Sequence, residues 1–128
     1  MPVAIRRLLR RADFLRVAKT RQKYAAPGLV LQVGRQPENG GNRSEATVRV
    51  GFTVSKKVGN AVERNRVRRR LRAVAADILP DRARGGLDYV IIGRRNALVR
   101  PYPELCRDLA TALQRTGAMV SSDPGANP

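Results

Sequence analysis

Six of the nine residues from Arg64 to Arg72 (RNRVRRRLR) are arginine. Each guanidinium presents a planar fork of donors that matches a phosphate bidentately, and its face can stack on an unpaired base, which suits RNA. Immediately upstream, Ser55-Lys56-Lys57-Val58-Gly59-Asn60 brings two ammonium groups to a helix start, where free amides and the dipole themselves attract anions. A solvated helix face ordinarily mixes signs at i,i+4. Here Glu63 is the only acid between Ala46 and Ala76. Arg64/Arg68, Arg66/Arg70 and Arg68/Arg72 instead set like charges four apart, each pair costing an isolated helix about 0.2–0.5 kcal/mol. The pattern points to a polyanion rather than to passive solvation.

The whole chain agrees. Its 128 residues carry 26 Lys+Arg against 10 Asp+Glu, a formal net charge of +16, and 22 of the basic residues are arginine. Hydrophobic residues at 42% are enough for one core and too many for a disordered basic tail. With no histidine there is no imidazole base, and the single Cys106 lacks the partner a thiol nucleophile needs. The acids are scattered, with only Asp77/Asp81 and Glu104/Asp108 at helical spacing, a weak start for a two-metal nuclease. Catalytic machinery is therefore not expected, nor a metal site. The apolar runs are short and no signal-length stretch follows the basic N-terminus, so the expected location is the cytoplasm, without membrane association.

The elements that must position these residues follow from periodicity. Residues 12–23 read as a short helix, with Asp13 as a plausible N-cap and Phe14, Val17 and Ala18 at helical spacing. Residues 29–33 read as a strand and residues 35–46 as an exposed polar loop. Val48, Val50, Phe52 and Val54 alternate with Arg49, Gly51 and Thr53 as a second strand, most economically a hairpin with the first. Asn60 and Glu63 match a capping box, and Val67, Leu71, Val74, Ala75 and Ile78 form one stripe of a long helix that Pro80 should stop. Residues 89–92 read as a strand buried on both faces, and residues 104–115 as a helix with core positions Leu105, Leu109, Ala112 and Leu113, ended by Gly117. Cys106, Tyr89 and Tyr102 read as packing residues. The expected fold is α+β in the order α-β-β-α-β-α, a small mixed sheet of three to four strands. One domain covers residues 1–118, and residues 119–128 read as a disordered tail.

The stretch from Val50 to Arg69 (VGFTVSKKVGNAVERNRVRR) resembles the signature of the bacterial ribonuclease P protein component, in which an SKK-GNAV run leads into an RNR helix. RADFLRV near the N-terminus, DYVIIGR and PYPEL fit as well, so the resemblance spans about residues 5–117. It implies a fold whose long-helix βαβ crossover is left-handed, against the usual hand. It also implies a partner: a large catalytic RNA, with which the protein removes the 5′ leader of precursor tRNA. Mg2+ is then expected at the RNA active site, with no cofactor on the protein itself and a monomeric protein before assembly. On this resemblance Lys56, Lys57, Asn60, Arg64, Asn65, Arg66, Arg68 and Arg69 contact RNA. Phe14, Arg16, Val30 and Gln32 belong to a cleft for the leader. Ala18 and Gln32 stand where other members carry aromatics, which shifts leader contacts toward Arg16, Lys19 and hydrogen bonds. Two rival readings stay open: a structural RNA binder such as a ribosomal protein, and a metal-dependent nuclease acting alone through Asp77 and Asp81.

Overall fold

A computed structural model describes residues 4–20, 22–36 and 47–117. Five strands, β1 (Ala4–Arg7), β2 (Lys23–Ala25), β3 (Leu29–Arg35), β4 (Thr47–Thr53) and β5 (Leu87–Gly93), form one sheet in the order β1-β4-β5-β3-β2. Helix α1 (Arg11–Ala18) covers one face; α2 (Ala61–Arg82) and α3 (Tyr102–Arg115) cover the other. β1, β4 and β5 run parallel to one another, while β3 is antiparallel to both β5 and β2. The fold is α+β, as expected, with more strands than the sequence reading allowed.

The main core lies between the sheet and the α2/α3 layer. Leu29, Leu31 and Val33 of β3, Val48 and Val50 of β4, and Tyr89 and Ile91 of β5 meet Val67, Leu71, Val74 and Leu79 of α2 and Leu105, Leu109 and Leu113 of α3. A smaller cluster of Leu8, Val17 and Val90, with Phe14 and Ile92 against it, seats α1 on the opposite face. β5 is thus buried on both faces, which is why its apolar run is continuous rather than alternating.

Several expectations are corrected. β3 and β4 do not pair as a hairpin, because β5 lies between them, bonded to both. A strand apolar on both faces gains most from a central slot, where neighbours satisfy both edges and helices cover both sides. β1 and β2 were missed because four and three residues carry too little periodicity; pairing with β4 and β3 recruits them. α1 stops at Ala18, with Lys19 as its C-cap, so Lys23 is a strand residue. Arg10, not Asp13, takes the N-cap position, and Asp13 is buried in the first turn. Pro80 does not end α2, which runs on to Arg82. So close to the C-terminus, the missing Pro80 N–H leaves open only the carbonyl of exposed Ala76. α3 ends as expected, with Gly117 at φ 73° following the C-cap Thr116. Most of the 35–46 loop and the 119–128 tail lie outside the described residues.

Candidate nucleic-acid interface

After β4 the chain makes a tight turn over Lys56–Val58 that buries Val58 and leaves both lysines exposed. Gly59 follows at φ 155°, and a Cβ there would lie 2.3 Å from Glu63 Oε1. That oxygen is in use: it accepts from Asn60 N at 3.0 Å, while Asn60 Oδ1 accepts from Glu63 N at 2.8 Å. The predicted capping box is complete, and it turns the one acid of this region inward onto the helix start.

From this start α2 displays its arginines unequally. Asn65, Arg66 and Arg69 are exposed, as are Lys56, Lys57 and Asn60. Arg64 is half-buried and donates from Nε to Gly59 O at 3.2 Å, bracing the turn. Arg68 is half-buried and donates to Asn65 Oδ1 at 3.0 Å. Arg70 is half-buried and reaches over to the segment before α3, donating to Ala97 O at 2.6 Å and to Arg100 O. Its guanidinium ties down the turn Arg95–Leu98 and is not part of the free basic face. One residue missed in the sequence is Arg95, which donates to Val58 O at 2.5 Å and keeps its side chain 66% exposed. Exposed Arg94 precedes it. The Arg-Arg pair directly after β5 was the available signal, because the carboxyl ends of parallel neighbours β4 and β5 lie at the same edge. The basic surface therefore spans the exits of two strands and the start of α2.

The α1 side of the sheet is read from its register. Residues paired across strands share a face, which gives three rows: Gly34-Asp88-Arg49-Arg6, Lys23-Gln32-Val90-Gly51, and Ala25-Val30-Ile92-Thr53. α1 roofs the first. Asp88, fully buried, accepts from Arg49 Nε at 2.8 Å and Nη2 at 2.6 Å, and from Arg16 Nη2. Asp13 lies 3.3 Å from Arg16 and 3.5 Å from Arg49. The Asp88 hydrogen bond is the main reason the Arg49 guanidinium is held above its ordinary range. Arg16 also donates to Arg35 O, so its charge is committed to seating α1.

Phe14 closes the Gly51 end of the middle row, where a Cβ would come within 2.4 Å of Phe14 Cζ, and leaves the Gln32 and Lys23 end open. The third row is left unroofed. Val30, Ile92 and Gln32 are half-buried, and Ala25, Thr53 and Lys23 are exposed. Together they form a shallow, mostly aliphatic floor beside Phe14. Val30 and Gln32 share this face of the sheet, and the register adds Lys23, Ala25, Thr53 and Ile92 to it. Thr53 leads within three residues to Lys56, and Ile92 within two to Arg94, so the floor opens onto the basic surface.

One member of each carboxylate pair at helical spacing is engaged elsewhere. Asp77 accepts from the Tyr102 hydroxyl, and Asp108, buried, accepts from Arg100 at 2.6 and 3.0 Å and from Gly28 N at 3.0 Å. Among the described residues no group of three or more His, Cys, Asp or Glu could hold a metal, and no helix is long and apolar enough to cross a membrane.

Comparison with known proteins agrees with this geometry. The family model for ribonuclease P matches residues 4–117. The ribonuclease P protein component of Paramagnetospirillum magneticum is 56% identical over 119 residues, covering 93% of this chain and 88% of the relative. That of Ruegeria pomeroyi is 46% identical over 112 residues, covering 87% and 86%. The RNase P protein of Staphylococcus aureus superposes with a TM-score of 0.70 at 25% identity, covering 89% of this chain and 97% of that one. The Thermotoga maritima RNase P protein, at 24% identity and a TM-score of 0.68, shares the fold over 85% of this chain and 96% of its own. With its RNR helix, its sheet order and the match over residues 4–117, the chain belongs to the ribonuclease P protein family.

Proposed function

We propose that this chain is the protein subunit of a tRNA 5′-processing ribonucleoprotein, binding a catalytic RNA and the 5′ leader of precursor tRNA. Lys56, Lys57, Asn60, Arg64, Asn65, Arg66, Arg68 and Arg69, joined by Arg94 and Arg95, hold phosphates of the catalytic RNA. The leader lies on the floor formed by Val30, Gln32, Ile92 and Thr53 beside Phe14. Arg16 acts there as a positioning residue, because its guanidinium is bonded to Asp88. Magnesium ions held by the RNA supply the hydrolytic chemistry, and no side chain of this protein is assigned a part in it. Before assembly the protein is a cytoplasmic monomer, inactive alone.

The observation that carries this reading is the adjacency of a single-sign phosphate surface and an unroofed sheet face, in a chain of this family. A basic patch alone would suit any structural RNA; the open floor beside it gives a single strand somewhere to lie. The test is reconstitution with the organism's catalytic RNA and a precursor tRNA at low magnesium. The expected result is no cleavage by the protein alone and faster leader removal when it joins the RNA. Equal rates with and without the protein would refute the proposal, and cleavage by the protein alone would favour a self-sufficient nuclease. Tight binding to ribosomal RNA without any effect on processing would favour a structural RNA binder.

A further inference from the structure

We propose that Arg6, Arg7, Arg10 and Arg11 join the Arg64/Arg68 flank of α2 in one RNA-binding surface that wraps the β1 edge of the sheet, and that the phosphate backbone of the catalytic RNA is its partner. The inference rests on the RNA-anchoring reading above and extends it to a segment more than fifty residues away in sequence.

Tertiary structure brings the two groups together. α2 lies over β1, β4 and β5, while α3 covers β3 and β2. The flank of α2 that faces α3 and the segment before it is identified by its bonds: Arg70 to Ala97 O and Arg100 O, and Asp77 to Tyr102 at the start of α3. At about 100° per residue, Arg64 and Arg68 fall on the opposite side of the apolar stripe's midline from Arg70, with Arg68 toward the stripe's edge. That flank therefore faces the β1 edge. β1 pairs with β4 in the register Arg6↔Arg49 and Arg7↔Val50, and Leu8 N continues the ladder to Val50 O at 2.9 Å. Val50 lies in the core under α2, so Arg7 projects to the α2 side and Arg6 to the α1 side. Arg10 and Arg11 follow at the start of α1, and all four arginines are exposed.

The segment has no counter-charge of its own. No acid occurs from residue 4 to 12, and the next one, Asp13, is buried against Arg16 and Arg49. Four like charges in six residues repel one another unless a polyanion meets them. Another protein strand is a poor alternative, since arginines on both faces of an edge strand oppose edge-to-edge pairing. Guanidinium forks match phosphates. The position selects the catalytic RNA over the leader: the open floor is the Ala25-Val30-Ile92-Thr53 row, across the Phe14–Gly51 contact from the Arg6 row, and Arg7 projects to the other face of the sheet.

The test uses the full chain with all four arginines changed to Gln (R6Q, R7Q, R10Q and R11Q together), and measures its affinity for the catalytic RNA across a salt series. The expected result is at least a tenfold loss at low salt and a slope of log K against log salt reduced by about 2–4. Discrimination between precursor and mature tRNA by the reconstituted enzyme should stay at the unaltered protein's level. The R10Q/R11Q pair, outside β1, should give about half the slope change and guards against damage to the strand. Replacing the four by Lys should restore the slope. An unchanged slope in both Gln variants would overturn the inference, as would a loss confined to leader discrimination. R64Q/R68Q, run in parallel, separates the two levels. If it alone flattens the slope, the anchor on α2 stands and the β1 surface fails; if no variant does, both fail.

Discussion

Asp88 of β5 and Arg49 of β4 are register partners on adjacent parallel strands, and their side chains meet in a bidentate pair at 2.8 and 2.6 Å beneath α1. The carboxylate is fully buried, and Arg16 of α1 bonds to the same group, so the pair links the sheet to the helix that walls the cleft. Breaking a buried ion pair by removing one partner typically costs about 3–5 kcal/mol, since the remaining charge is left uncompensated. Asp88→Asn is expected to lower the urea-unfolding free energy by about that much. Replacing both members, Arg49→Met with Asp88→Leu, should cost less than the two single changes added. A loss below about 1 kcal/mol for Asp88→Asn would show that the pair does not hold α1 down.

The Phe14–Gly51 contact offers a separate handle on the cleft. A methyl at position 51 would lie 2.4 Å from the ring, so Gly51→Ala should displace α1 and cost about 1–3 kcal/mol. In a Phe14→Ala background the same change should cost at least about 0.5 kcal/mol less, read as a coupling energy from a double-mutant cycle. Equal costs in the two backgrounds would mean that the ring does not rest on residue 51. In the reconstituted enzyme, Phe14→Ala should weaken binding of precursor but not of mature tRNA; equal losses for both would indicate a folding defect.

Arginines only four residues apart on α2 should behave differently. Arg66→Ala and Arg69→Ala, both at exposed positions, should each reduce the salt slope of RNA binding by up to roughly one, with stability unchanged. Arg70→Ala should leave that slope alone. It should instead destabilise the fold by about 1–3 kcal/mol, because the carbonyls of Ala97 and Arg100 lose their donor. A salt slope reduced by Arg70→Ala as much as by Arg66→Ala would contradict this division.

Tyr89 predicts an alkaline limit. Burial pushes its phenol above the ordinary value of 10.0, while the hydroxyl stays bonded to Arg84 O at 2.8 Å. A folded-state value raised above the unfolded one means that this stabilisation is complete below about pH 10 and is lost as pH rises beyond it. Tyr89→Phe should therefore show a shallower fall of the unfolding midpoint between about pH 10 and 12 than the unaltered protein. Parallel declines would show that the phenol is not shielded.

Much of the site was legible because it is built from local contacts. The capping box of Asn60 and Glu63, the stripe through Val67, Leu71 and Val74, and the exposed side of Arg66 and Arg69 depend on residues three and four apart. The alternation of β4 likewise placed Val48 and Val50 in the core before any partner strand was known. What escaped was whatever depends on which distant segments meet.

By itself, then, the sequence determined the long basic helix, where it begins, which of its faces is apolar, and the single sign of charge beside it. Tertiary structure decided the rest. Placing β5 between β3 and β4 overrode the local economy of a hairpin, since a strand apolar on both faces needs cover on both sides. The same choice lined up Val30, Ile92 and Thr53 as an open floor, turned Arg70 from a free charge into a brace, and carried Arg6 and Arg7 to the edge beside α2. Helix caps and stripes answer to neighbours within a turn of chain. Strand order answers to a competition among segments tens of residues apart, which no local pattern encodes.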